Sequence, residues 1–363
     1  MIGVGTKVIS RLQWVSIQCM SLPIIGHVLL IHPIIKAGGK DGWISALVSI
    51  PVGLLFAGTI NLLKSYSIDT TLIKAAYETA GKVLAIFLSG ILIGYFLFLS
   101  VATLRGFEEF MKVSFMPDTP LWAFGASLML LVWFSLHRNI EATARVAVIL
   151  FLLILITGSI VGLNLHQEKE YTRILPILEN GWDPVVNATV YFISMWSELI
   201  LISMLQTKWL GARHDFSGHS FVVIFNALLA ALMVFGIISV FGLPLSETLD
   251  WPVQNEVRML KFGFIDRGDI YGLFTMSAGC YIRVTVFLFA VCEIFSFWSS
   301  SYKLVTLPVC LLVLLLSIYA FHNHSQFTQI ITSFYQYGYL IMGVPLLALV
   351  IFIITKRKTQ VRN

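Results

Sequence analysis

Apolar residues run along this chain in long unbroken blocks, without the period-two alternation of a half-buried strand, and each block ends at a cluster of charge, glycine or proline. A helix rising 1.5 Å per residue needs about 20 predominantly apolar residues to cross a bilayer. That window predicts ten membrane spans, at about 13–35, 42–63, 82–104, 119–137, 144–165, 184–206, 219–242, 268–292, 304–321 and 334–355. Two of them are interrupted. The first holds Pro23, Gly26, His27, His32 and Pro33 between Leu22 and its end, and the sixth holds Asn187, Ser194, Trp196, Ser197 and Glu198. Proline removes a backbone donor and glycine loosens the helix, and the freed groups cannot turn to lipid. Such a break must face protein, water or a ligand.

Ten spans divide into five plus five, with repeat 1 at about 13–165 and repeat 2 at about 184–355. The expected fold is therefore an all-α polytopic membrane protein, a transporter-like inverted repeat with broken helices 1 and 6, forming a single transmembrane domain over residues 1–363. The longest connection, 243–267, carries Trp251 and Pro252 followed by Val253, Val257 and Leu260 at i, i+4 and i+7. That spacing predicts a short helix lying on the membrane surface.

Composition agrees, since 58% hydrophobic against 12% charged residues excludes a soluble globular domain. The first apolar segment follows Lys7 and Arg11 as in a signal peptide, but it is too long for an h-region and has no small-x-small cleavage site, so a retained helix is expected. The net charge of +5 is explained by its distribution. With the N-terminus inside, fourteen Lys and Arg and five acids lie on the inner side (14 − 5 = +9), against nine and thirteen outside (9 − 13 = −4). Both termini are then cytoplasmic, and the basic excess reads as topology and contact with the anionic lipid bilayer, with no nucleic acid partner. Cys19, Cys280, Cys292 and Cys310 fall in apolar segments at spacings that match no zinc or redox motif.

Two ionisable residues lie deep in apolar spans, Glu198 in the sixth and Arg283 in the eighth. A charge at a helix centre costs roughly +2.5 to +3.5 kcal/mol, which confines both to the bundle interior. Each sits about fourteen residues, roughly 20 Å, into its span, and Gly26 reaches the same depth from the other side. A helix break, an acid and a base at one depth make a midplane ligand site. Glu198 is placed to hold a ligand ammonium, relay a proton or pair with Arg283. Arg283 is placed to stand in for a coupling cation, which would make activity independent of sodium, or to bond broken-helix carbonyls for stability alone. Tyr95, mid-span in the third helix, is a candidate aromatic wall residue or a core residue. His27 and His32 flank the first break, as pH-sensitive groups or as partners of a freed carbonyl. His322 and His324 lack a third and fourth metal ligand, and a solvated loop is expected around them. Trp14, Trp43, Trp122, Trp209 and Trp298, near span ends, are expected to anchor in the membrane interface. No His-Glu-x-x-His or Gly-x-Ser-x-Gly motif is present, so no enzyme, metal or cofactor is expected.

These residues are also the ones through which the chain resembles a family. Gly26 to Pro33, Asp41 to Trp43, Pro117 to Pro120, Leu175 to Gly181, Ser197 with Glu198, Trp251 and Pro252 with Arg258, Phe264 to Arg267, and Arg283 follow in order along the ten spans. The pattern resembles the spore germination permeases, the B subunits of nutrient germinant receptors in spore-forming bacteria, which are similar to amino acid–polyamine–organocation transporters. The resemblance implies a location in the spore inner membrane, partnership with an A subunit and a lipoprotein C subunit, and recognition of a small nutrient ligand, an amino acid or similar, at the broken helices. The expected binding residues are Ile25, Gly26, His27, Tyr95, Trp196, Ser197 and Glu198, with Glu198 and Arg283 as charge partners. Two positions depart from the family: His27 stands where a small residue is usual, and Ser197 where a glycine precedes the sixth-span acid. A bulkier His27 narrows the expected pocket. Three functions follow from this reading: a ligand-sensing receptor subunit, a true amino acid permease, and a structural subunit with a vestigial pocket.

Overall fold

Ser10 opens the first helix with a capping box, its hydroxyl accepting from the Gln13 N–H while the Gln13 side chain accepts from the Ser10 N–H at 2.8 Å. The computed structural model that this helix begins describes residues 9–22, 29–66, 71–138, 140–204, 216–260, 268–299 and 302–362. Among the described residues all regular structure is helical. The first-break positions Ile25, Gly26 and His27, together with Trp209 and Phe264 to Arg267, lie outside the described residues.

In chain order the helices are α1 (Arg11–Ser21), α2 (Ile31–Gly38), α3 (Gly42–Val48), α4 (Ile50–Tyr66), α5 (Leu72–Ala80), α6 (Lys82–Ser114), α7 (Leu121–His137), α8 (Ile140–Leu165) and α9 (Asp183–Trp196). They continue as α10 (Leu201–Met204), α11 (Phe216–Ser246), α12 (Pro252–Arg258), α13 (Asp269–Trp298), α14 (Tyr302–Tyr319), α15 (His324–Gly338) and α16 (Val344–Arg362). Among the described residues six helical stretches are long and apolar enough to cross a membrane, which makes this a multi-pass integral membrane protein. Within its apolar window α13 is 72% buried by protein and α8 only 17%, so α13 is the axis of the bundle and α8 faces lipid. Among the described helices α13 packs most extensively on α6.

Several connections gather at one end of the bundle, here called the distal end. Gly39 turns the chain in the left-handed region (φ 57°), and α3 folds back on α2 so closely that a Cβ on Gly42 would lie 3.3 Å from the Ile34 carbonyl oxygen. Buried Asp41 in this turn accepts from the Leu178 N–H at 3.0 Å, and Lys40 pairs with Glu179 at 3.0 Å. The motifs Asp41–Trp43 and Leu175–Gly181, far apart in sequence, thus meet as one structural unit.

Four expectations need correction. The helix read as ending near 104 continues to Ser114 as α6, and Arg105, Glu108 and Glu109 are buried in the bundle instead of lying in an outer loop. Arg105 Nε donates to Glu109 at 2.6 Å, Arg105 Nη1 donates to the Ser317 carbonyl at 3.0 Å, and Ser317 Oγ donates to Glu108 at 2.9 Å, so Arg105 and Glu109 form a buried ion pair and Glu108 meets a hydroxyl through Oε1, its Oε2 having no partner among the described residues. The α12 helix begins as expected at Pro252, but the apolar stripe expected to meet the membrane, Val257 and Leu260, is buried against α8 and α13. Glu256 reaches Lys169 at 3.8 Å, and Arg258 donates to the Ser114 carbonyl at 2.8 Å, which holds both of its polar ends on protein. The last expected span is two helices, α15 and α16, joined by a π-helical turn at Tyr339–Gly343, and α15, capped by Asn323, starts at His324, ten residues before the predicted boundary. Finally, Trp14 is buried in the protein, its ring edge-on to His219 at 6.3 Å, because α1 lies between α8, α11 and α13. Among the other tryptophans, Trp122 is exposed while Trp298 donates to Ser89 at 2.9 Å.

Candidate functional site

The α-helical run of the sixth predicted span stops at Trp196 and tightens into a 3-10 turn over Ser197–Ile200 before α10 resumes it. A polar run, Ser194 to Glu198, sits at this change of winding. Ser194 Oγ accepts from the backbone N–H of Tyr339 at 2.9 Å, and so ties the turn to the π-helical segment between α15 and α16. Gly343 of that segment lies beside Ser197, so that a Cβ there would be in van der Waals contact with the Ser197 side chain at 3.5 Å. Two irregular stretches of backbone therefore face each other inside the bundle, where non-helical geometry is tolerated only against protein or a cavity.

The turn presents Glu198 to α13. Arg283 Nη1 donates to Glu198 Oε2 at 2.7 Å, and both side chains are at most 1% exposed. The other carboxylate oxygen accepts from the Tyr335 hydroxyl of α15 at 2.5 Å. The guanidinium is held from three further directions. Its Nε donates to Thr103 Oγ1 on α6 at 3.0 Å, its Nη1 also donates to the Ser21 carbonyl at the end of α1, and it stacks over the Phe287 ring at 4.6 Å. Arg283 thus joins α1, α6, α9–α10 and α13 at one point. Its Nη2 is buried and, among the described residues, bonds to nothing. A buried donor of a charged group without a partner costs about 1–3 kcal/mol or more, which leaves Nη2 as an open position for an acceptor.

Beside this pair, Ser197 Oγ donates to the Ser194 carbonyl at 2.6 Å, so the Tyr95 hydroxyl, 2.9 Å away, is the donor to Ser197. Tyr95, 2% exposed, forms a wall with its ring tilted against Phe96 and Phe334. The structure therefore brings together Tyr95, Ser197, Glu198 and Arg283. Trp196 is fully buried but turns to the neighbouring hairpin, its Nε1 donating to Ser49 Oγ at 3.0 Å and its ring packed where Gly53 has no side chain. Ile25, Gly26 and His27 are not among the described residues. Tyr335, Thr103 and the Ser21 carbonyl are partners that the sequence did not single out. Tyr335 lies among several tyrosines of one helix, and a backbone carbonyl has no residue-type signal.

A second polar cluster lies at the distal end. His324, expected in a solvated loop, is instead the first residue of α15 and half-buried, bonding Glu109 through Nδ1 with Asp250 3.7 Å from Nε2. Glu109 is shared with Arg105, and His32 of α2 faces the same group while bonding the Leu249 carbonyl at 2.8 Å. The hydrogen bond to Glu109, with the charges of Glu109 and Asp250, raises the His324 imidazole above its ordinary value against the opposing effect of burial. A cation stabilised by folding contributes fully below the unfolded value of about 6.5 and loses that contribution as pH rises through the raised folded value. Thermal melts of wild type and His324→Gln across acid to alkaline pH are expected to differ most at the acid end and to converge at the alkaline end. A constant gap contradicts the ion pair.

Known proteins resemble this chain in sequence and in shape. It is 24% identical over 275 residues to spore germination protein XB of Bacillus anthracis, covering 76% of this chain and 77% of that protein. It is 27% identical over 312 residues to spore germination protein KB of Bacillus subtilis (strain 168), covering 83% of each. Among solved structures, MhsT in complex with L-phenylalanine matches with a TM-score of 0.68 at 14% identity, over 95% of this chain and 89% of that one. Mhp1, a nucleobase-cation-symport-1 family transporter in a closed conformation with bromovinylhydantoin bound, matches with a TM-score of 0.57 at 13% identity, over 89% and 77%. At these identities the structural matches establish a shared transporter fold. The family of spore germination proteins matches residues 8–327, and this multi-pass, transporter-fold chain therefore belongs to it.

Proposed function

We propose that this chain is the nutrient-sensing membrane subunit of a spore germinant receptor and binds a small amino acid-like ligand beside the Glu198–Arg283 pair. The observation that carries this reading is the Nη2 of Arg283, a buried cationic donor next to a helix break and without a partner among the described residues. A ligand carboxylate meets Nη2, and the ammonium group meets the Glu198 carboxylate and the carbonyls freed at the break. Ile25, Gly26 and His27 from the first span complete the pocket, Tyr95 and Ser197 line it, and Trp196 supports it from behind. Ten spans in a five-plus-five inverted repeat, both termini cytoplasmic and a location in the spore inner membrane complete the arrangement, with A and C subunits reading the conformation of the bundle. Ligand shifts that conformation only by its differential affinity for two states, and a group shared by four helices is where such a difference arises. MhsT, a fold relative, holds an amino acid, which supports the ligand class.

The test is germination. Spores lacking this chain are expected to lose the response to one or a few members of a panel of amino acids and sugars, and to keep responses to unrelated triggers. An unchanged response to the whole panel contradicts the proposal.

The transporter fold favours one second reading, an amino acid permease. Proteoliposomes separate the two. Saturable binding without uptake supports the receptor, whereas accumulation that Glu198→Gln abolishes supports the permease. In either case the fixed Arg283 charge occupies the place of a coupling cation, and sodium is expected to be dispensable.

A further inference from the structure

Away from the Glu198–Arg283 pair, a cavity of about 360 Å³ lies between α8, α11 and α13, beneath α12. Its size is that of a small-molecule pocket. Phe151 and Phe225 close one end, their rings 5.6 Å apart, and α12 covers the other through Val253, Gln254 and Val257. Leu155 and Leu232, 39% and 66% exposed, stand at its side, on α8 and α11, helices whose outward apolar faces meet the bilayer. The cavity is thus continuous with the lipid-facing surface.

Its lining is almost wholly carbon. Most of its polar groups are engaged: Ser159 Oγ donates to the Leu155 carbonyl at 2.7 Å, Thr275 Oγ1 to the Tyr271 carbonyl at 2.8 Å, and the Gln254 amide to the Asp269 carbonyl at 3.5 Å, which leaves the Trp251 indole N–H, without a partner among the described residues, as a lone donor. Water needs two to four polar partners to occupy a buried site and does not find them here. An empty space of this size forfeits the dispersion contacts of its walls. The medium at the mouth is hydrocarbon, and hydrocarbon satisfies both conditions.

We propose that this cavity is a binding site for the acyl chain of a membrane lipid, entering sideways between α8 and α11. Seated there, the chain fills the space between the lipid-facing α8 and the axis helix α13 and supports α12 from below. Lipid thereby becomes a structural component of the distal end, where α12 is tied through Arg258 to the end of α6.

The full chain in nanodiscs, doped with phosphatidylglycerol carrying a photoactivatable diazirine on one acyl chain, tests this by mass spectrometry of the labelled peptides. Label is expected to concentrate on residues 151–162, 225–233 and 271–279. Gly162→Phe fills the cavity without backbone conflict, because no heavy atom lies within 4 Å of a Cβ at that position, and it is expected to abolish that labelling. Gly90→Phe, on α6 and equally unobstructed, leaves it unchanged. In wild type, excess unlabelled phosphatidylglycerol is expected to suppress label at the cavity walls before label at other lipid-facing positions, which supplies a readout that does not depend on any variant folding. Label spread evenly over all lipid-facing helices, label indifferent to Gly162→Phe, or label lost equally in Gly90→Phe overturns the proposal. A water-soluble apolar compound that displaces the label where excess lipid does not also overturns it.

Discussion

Arg283→Met is expected to destabilise the protein by about 3–5 kcal/mol, the cost of leaving a buried acid without its cation. Glu198 keeps only the Tyr335 hydroxyl, and Thr103 and the Ser21 carbonyl lose a shared donor, so α1, α6, α9–α10 and α13 are no longer joined at one point. Glu198→Gln is milder, because the amide oxygen still accepts from Arg283 Nη1 and the amide NH2 is placed to donate to the Tyr335 hydroxyl oxygen. The double variant Glu198→Gln/Arg283→Met removes both charges and is expected to recover much of the lost stability, since a buried ion pair replaced as a whole is often neutral. Germination by the cognate nutrient stays absent in the double variant. Melting temperatures in detergent and germination assays of the four chains separate the two roles of the pair. Recovery of germination along with stability shows that the pair only fixes helix packing.

Gly53→Leu is expected to have the second largest effect, through packing instead of charge. A Cβ at Gly53 would lie 2.6 Å from Val223 Cγ1 and 3.1 Å from the Trp196 ring, so even alanine forces a shift. Overpacking of this kind costs about 1–3 kcal/mol, and leucine exceeds alanine. The displaced ring is Trp196, whose bond to Ser49 fixes the start of the 3-10 turn that carries Glu198. Melting temperature and membrane abundance are therefore expected to fall in the order Gly53, Gly53→Ala, Gly53→Leu, and germination to fall with them. Gly94→Leu, where nothing lies within 4 Å, serves as the neutral comparison. Equal stability of all these chains contradicts the close approach of α4, α9 and α11.

The charged pair was legible in the sequence because a charge deep in an apolar run is costly and therefore conspicuous, and equal depth along two helices brought Glu198 and Arg283 together before any contact was known. The break in the sixth span was legible for the same reason, as polar residues where lipid tolerates none. Hydropathy fails where charges satisfy one another. It ends the third span at Arg105, because a window counts Arg105, Glu108 and Glu109 as exposed when each is buried against a partner on α6 or α14. The same blindness made α12 a surface helix and His324 a loop residue, since Lys169, Ser114 and Glu109, the groups that draw them inward, are remote in sequence. Trp196 is visible in the sequence as part of the polar break, but the direction of its indole depends on a slot at Gly53 that only packing reveals. Tyr335 carries no signal of its own among Tyr335, Tyr337 and Tyr339, and only the approach of α15 gives it Glu198 as a partner.

A nutrient carboxylate is proposed to meet the Nη2 of Arg283, which has no partner among the described residues. Arg283→Lys keeps the positive charge beside Glu198 and removes Nη2. Binding of the nutrient that germinates wild-type spores, measured on the purified chain in nanodiscs, is expected to be saturable in wild type and lost in Arg283→Lys, with the variant still folded by its thermal melt. Equal affinity in the two folded chains contradicts the claim.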